Sequence, residues 1–217
     1  MLLMFLIQGC HVNEKVFWNV GNNCELPCWN DVVVGKTTKS ELSQIISKLP
    51  IIDQDKIFID GDSWEFFSGR SYYSFKRADI NCETYYLGET IVNLTFSGEL
   101  RTTFGNMVDL LGEPDYILTG LTVLPTVGYS VTAIYPALGI EYSYNTRILS
   151  KRTSKDIGPD IPIDFISIFD PEIYNDLIEA SLFGQGSLTG EQIWESLRPW
   201  DGYGVLLEKY PAAKKQR

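Results

Sequence analysis

The chain has 217 residues, 44% of them hydrophobic and 13% aromatic, with 28 acidic against 18 basic residues and a formal net charge of −10. That apolar fraction excludes a disordered chain and supports a packed core, while the acidic balance opposes a phosphate backbone, so no nucleic-acid partner is expected. The single histidine, His11, stands close to the N-terminus, which removes Ser-His-Asp, Cys-His and His-rich zinc chemistry, all of which need an imidazole held inside a site.

Residues 1–7 form an uninterrupted apolar run, Met-Leu-Leu-Met-Phe-Leu-Ile, and Gln8-Gly9-Cys10 follow. An apolar stretch ending at a small residue marks a secretory signal. A Cys placed directly after the small residue resembles a bacterial lipoprotein signal, which implies acylation of Cys10, with palmitate as one of the acyl chains. Residues 1–10 then read as the signal remnant and residues 11–23 as a polar tether. A spanning helix needs about 20 apolar residues, so the expected attachment is lipid at the extracytoplasmic face of the cell membrane. In that oxidising compartment Cys24, Cys28 and Cys82 are an odd set. The Cys24-Glu-Leu-Pro-Cys28 loop closing on itself is the favoured disulfide, and a bond from either to Cys82 is the alternative. Three thiols with no fourth ligand make an incomplete site, and no metal or cofactor is expected.

The first clear helix begins at Thr38. Thr38-Lys39-Ser40-Glu41 is a capping box, and Leu42, Ile45, Ile46 and Leu49 form one apolar stripe before Pro50 stops the helix. Short aromatic and β-branched runs follow at Lys56–Asp60, Trp64–Phe67, Ser71–Lys76, Thr84–Leu87 and Thr90–Phe96, punctuated by Gly61, Gly69, Gly88 and Gly98. This spacing predicts consecutive antiparallel hairpins. In the last run Val92, Leu94 and Phe96 alternate with Ile91, Asn93 and Thr95, as in a sheet with one buried face. A second helix is expected over Phe104–Leu111, with Phe104, Met107, Leu110 and Leu111 on one side and Gly112 as C-cap. Strands are then expected at Asp115–Thr119, Tyr129–Tyr135, Gly139–Tyr144 and Ile163–Phe169, with a turn at Pro136–Gly139 and a loop over Lys151–Pro162. Pro171 opens a helix with an Ile173, Leu177, Ile178, Leu182 stripe. Thr189-Gly190-Glu191-Gln192 caps another that carries Ile193 and Leu197 and ends at Pro199. Trp200-Asp201-Gly202-Tyr203-Gly204 closes a tight aromatic loop.

Helix-then-meander occurs twice, so the expected fold is α+β: antiparallel meanders with helices packed on one face, in two similar halves over residues 24–170, and a C-terminal helical segment over residues 171–217 packed on them. Cys24-x-Leu-Pro-Cys28-Trp29, Gly35-Lys36-Thr37-Thr38-x-x-Glu41, Leu111-Gly112-Glu113-Pro114 and Tyr135-Pro136-x-x-Gly139 together resemble a group of uncharacterised bacterial lipoproteins with a Pro-Cys-Trp, Gly-x-Thr, Gly-x-Pro pattern. The Gly-x-Thr and Gly-x-Pro pieces are also similar to β-lactamase-inhibitor-like domains and outer-membrane-assembly lipoproteins. Asn30-Asp31 follows Trp29 where the group carries an aromatic or small apolar residue. The likeness implies protein binding rather than catalysis.

Among site candidates, Trp200 and Tyr203 are the expected binding residues, since an aromatic loop offers a face to a sugar or partner. Asp53-Gln54-Asp55 and Asp60-Gly61-Asp62 lack the EF-hand pattern, with Ile57 and Trp64 at positions that need ligands. No catalytic residue stands out. The expectation is a lipid-anchored extracytoplasmic domain that binds another envelope protein or component. The alternative is an envelope hydrolase using two carboxylates about 5–10 Å apart.

Overall fold

The computed structural model describes residues 26–49, 52–60, 69–75, 80–122, 128–145, 156–180 and 188–212. Cys10, His11, Cys24, the tether, the Trp64–Phe67 run and Leu182 lie outside the described residues.

The chain enters the fold through a small hairpin of β1 (Cys28–Trp29) and β2 (Val32–Val33), with Trp29 opposite Val32. Its two turn residues, Asn30 and Asp31, have φ of 46° and 69°. A two-residue turn that matches strand twist needs positive φ at both positions, and Asn and Asp tolerate it best. The residues that depart from the lipoprotein pattern are therefore the ones this turn requires. Trp29 is fully buried against Phe96, ring centroids 5.0 Å apart.

Helix α1 (Lys39–Lys48) forms as expected: Thr38 and Glu41 complete the capping box, and Leu42 and Ile46 are buried with Ile45 and Leu49 packed beside them. Strands β3 (Ile52–Asp60), β4 (Gly69–Phe75), β5 (Ile80–Leu87) and β6 (Thr90–Gly98) make the first meander. Alternation in β6 is interrupted. Tyr85 pairs with Asn93 but Tyr86 with Ile91, so Val92 is an extra residue. Such a bulge shifts the phase of the strand: Ile91, not Val92, joins Leu94 and Phe96 in the main core, and Val92 joins a second cluster.

Helix α2 (Phe104–Leu111) follows. Phe104 and Met107 are buried, but Leu110 is 53% exposed. With 3.6 residues per turn the inward face runs Phe104, Met107, Val108, Leu111, and Val108 takes the place expected for Leu110. Strands β7 (Tyr116–Thr122), β8 (Gly128–Tyr135) and β9 (Ile140–Asn145) make the second meander. A short 3₁₀ turn, Pro136–Leu138, joins β8 to β9 through Gly139 at φ 61°. The short β10 (Asp156–Ile157) lies in the expected loop, and β11 (Phe165–Phe169) ends it.

All described strands of the main sheet pair antiparallel, in the order β12-β7-β8-β9-β11-β6-β5-β4-β3, where β12 is Arg198–Pro199. The two meanders never pair directly; β11 is inserted between β6 and β9. The main core lies on the face covered by α1 and α2, the shared face expected of the two halves, and contains Phe104, Tyr142, Ile166 and Ile168. The C-terminal segment wraps the sheet. Helices α3 (Tyr174–Glu179), entered through a 3₁₀ turn at Pro171–Ile173, and α4 (Gly190–Ser196), capped by Thr189 and Gln192, cover the other face, where Leu177, Ile178 and Ile193 meet Val92, Leu118, Ile134 and Phe169. Strand β13 (Gly204–Val205) pairs with β10, and α5 (Leu206–Lys209) returns Leu206 and Tyr210 to the main core.

Candidate functional site

Strand register brings one row of side chains across the sheet face under α3. Tyr116 of β7 lies opposite Ile134 of β8, and Ile134 opposite Glu141 of β9. Glu141 lies opposite Ser167 of β11, Ser167 opposite Thr95 of β6, and Thr95 opposite Glu83 of β5. Ile134 fixes the face, because it packs with Leu177, Ile178 and Ile193. Neighbouring strands lie about 4.8 Å apart, so Glu83 and Glu141, three strands apart, are separated by about 14 Å along the row.

Glu141 is the centre of this row. Its Oε2 is buried and has no hydrogen-bond partner among the described residues. Loss of water pushes its carboxyl up from an ordinary 4.5 to about 8, against a smaller opposing effect of its hydrogen bond with Ser167. The Thr95 hydroxyl donates to Asn93 Oδ1 at 2.9 Å, and Ser167 Oγ lies 2.9 Å from Thr95 Oγ1. A hydroxyl has one proton to give. With Thr95 committed to Asn93, the Ser167 proton goes either to Thr95 or to the Glu141 carboxylate, and the second is the bond that holds the pKa down. Thr132 Oγ1, on the same face of β8, is also buried without a partner. At the far end of the row Tyr85 donates to Glu83 Oε2 at 2.6 Å.

Tyr174 of α3 roofs the site. Its ring stacks on Phe169 at 6.0 Å and meets Trp194 of α4 edge-on at 6.2 Å. Burial pushes its phenol pKa up, and the nearby charges of Tyr116, Glu141 and Asp115 push it further. Trp194 and Tyr116 are the exposed members, at 45% and 36%.

The residues singled out in the sequence lie elsewhere. Trp200 and Tyr203 do come together, edge-on at 5.3 Å, but over the main core. Trp200 stacks on Phe104 at 5.8 Å and on Tyr210 at 6.1 Å, while Tyr203 is 37% exposed. The Asp201 amide donates to the Tyr210 hydroxyl, which donates to the Gly202 carbonyl, each at 2.8 Å, so the loop is pinned. Trp200 therefore spends its faces on packing, and Tyr203 is the more open ring. Cys28 is buried in the entry hairpin and is held in a disulfide whose other half lies outside the described residues. Cys82 is free and buried, and desolvation pushes its thiol pKa far up, which leaves it inert. Among the described residues no group of three or more His, Cys, Asp or Glu side chains is placed to hold a metal ion.

The sequence held one signal for Glu141. Alternation in Ile-Glu-Tyr-Ser-Tyr-Asn places Glu141, Ser143 and Asn145 on one polar face, which read alone is a face turned to water. Tertiary packing instead buries its carboxyl oxygen. No protein-family model matches the chain, no curated protein matches it, and no solved structure matches it.

Proposed function

We propose that the chain is a lipid-anchored extracytoplasmic binding domain, tethered through Cys10, that recognises another envelope protein or component at the margin of the sheet face around Glu141, where Tyr116 and Trp194 are exposed. The observation that carries this reading is the isolated buried carboxyl. Glu141 is flanked in its row by Ile134 and Ser167, and the row's other acid, Glu83, is about 14 Å away. Two-carboxylate hydrolysis holds its acids about 5–10 Å apart, so the runner-up, an envelope hydrolase, gets less support from this row. A single desolvated acid beside hydroxyls suits recognition by hydrogen bonds.

The test is affinity capture from detergent-solubilised native membranes, using the acylated chain and its Ser167→Ala/Glu141→Gln variant. A partner retained by the first and lost by the second, with unchanged circular dichroism, is the expected result. Equal capture by both moves the interaction off this face, and turnover of envelope glycan or peptide by the wild type favours the hydrolase.

A further inference from the structure

We infer that Glu141, Tyr174, Trp194 and Tyr116 form a binding site for a primary ammonium group, carried on a lysine side chain or on a small free amine. This rests on the binding reading above and names the chemistry of its ligand. Four observations converge. Glu141 Oε2 is buried and has no partner among the described residues, so one acceptor lone-pair set awaits a donor. Tyr174 lies close enough to Glu141 for their charges to interact, and Trp194 meets Tyr174 edge-on, so the surroundings are aromatic, the kind that attracts an organic cation. Asp115 adds a second negative charge next to Tyr174. No ion pair among the described residues engages Glu141 or Asp115. The guanidinium of Arg198, on the strand that pairs with β7, is occupied by the carbonyls of Glu195 and Leu197, at 2.7 and 2.9 Å.

Trp194 and Tyr116 are exposed, and Thr132 Oγ1 offers a further acceptor on the same face as Glu141. The groups facing Glu141 are Ile134 and Thr132 from β8, Ser167 from β11, Thr95 from β6 beyond it, and Tyr174 from α3. None is a cation. Binding is then an exchange. The neutral carboxylic acid gives up its proton, the carboxylate so formed pairs with the ammonium, and one proton leaves to solvent for each amine bound.

The test is isothermal titration of the full chain at neutral pH with Nα-acetyl-lysine methylamide and with ethanolammonium chloride, with n-butanol as the neutral control. Saturable binding of an amine, none of n-butanol, and proton release detected by repeating the titration in buffers of different ionisation enthalpy are expected. The tighter amine identifies the source. Glu141→Gln, which keeps shape and hydrogen bonding but cannot become anionic, is expected to weaken binding roughly tenfold or more. Trp194→Ala, at an exposed position, is expected to weaken it several-fold without unfolding the chain. Absence of amine binding, equal binding of n-butanol, or unchanged affinity in Glu141→Gln overturns the inference. Partner capture lost in the Glu141 variant but with no amine binding would leave the binding reading standing and remove only the ammonium.

Discussion

Glu141 makes stability depend on pH in a direction opposite to that of most carboxylates. Its folded-state pKa is raised, from 4.5 to about 8. Below pH 4.5 both folded and unfolded states hold the proton and the full stability is present. Between the two values the unfolded chain releases a proton that the folded chain keeps, so stability falls by up to about 1.4 kcal/mol per pH unit until the folded acid ionises. Denaturant unfolding followed across this window is expected to show that decline, and Glu141→Gln to flatten it and to unfold later than wild type at pH 8; parallel curves for the two proteins sink the assignment. Gly139 is the second decisive residue. It sits at φ 61°, and a Cβ there would run into the carbonyl oxygen of Phe169, at the join between β9 and β11. Backbone, unlike a flexible side chain, cannot turn aside. Gly139→Ala is expected to cost about 2 kcal/mol or more, read as a lowered urea midpoint at unchanged m-value. The motif Tyr-Pro-x-x-Gly was visible in the sequence, but the reason for its glycine is a contact with a strand 30 residues downstream in the chain.

Among the elements, α1 was the most legible, because local chemistry specifies it: a capping box at one end, a proline beyond the other, and an apolar stripe between. Ile46, 2% exposed, faces the core. Ile46→Ala is expected to cost about 2–5 kcal/mol, a large part of a total near 5–15 kcal/mol, and to lower the melting temperature clearly. The fitting control is the exposed Gln44 rather than Lys39, whose ammonium lies 5.4 Å from the centre of the Tyr86 ring. Gln44→Ala should leave the melting temperature almost unchanged; equal shifts at both positions would mean that the stripe does not face a core. The alternation in β6 was less legible, since a bulge depends on how the partner strand is offset, not on the residues of one strand. Leu110 was misplaced for a related reason. A stripe drawn from apolar residues alone admits any leucine near the edge, and only the packed neighbour decides which one is inside.

At the scale of the whole molecule, the proposed anchor at Cys10 is open to a direct test. Expressed with its full native signal, wild type is expected in the detergent phase on partitioning and Cys10→Ser in the aqueous phase; both in the aqueous phase would refute the anchor. Peptide mapping without reduction is expected to recover Cys28 joined to Cys24, with Cys82 unmodified, and recovery of Cys10 in that bridge would overturn the lipid and the disulfide assignments together. The sequence by itself determined the elements whose causes are short-range: the capped helices, the runs of alternating strands, the glycine and proline punctuation, and hence the α+β class. Tertiary structure alone decided that β11 would slot between β6 and β9, because strand order follows from pairing across some 70 residues of chain and no local pattern encodes it. It also decided which faces stay wet. A strand's period of two divides its residues into two sets, but the helices packed afterwards determine which set meets water, and that is why the acid at 141 could be placed on a polar face from sequence and yet have a buried carboxyl oxygen close to Tyr174.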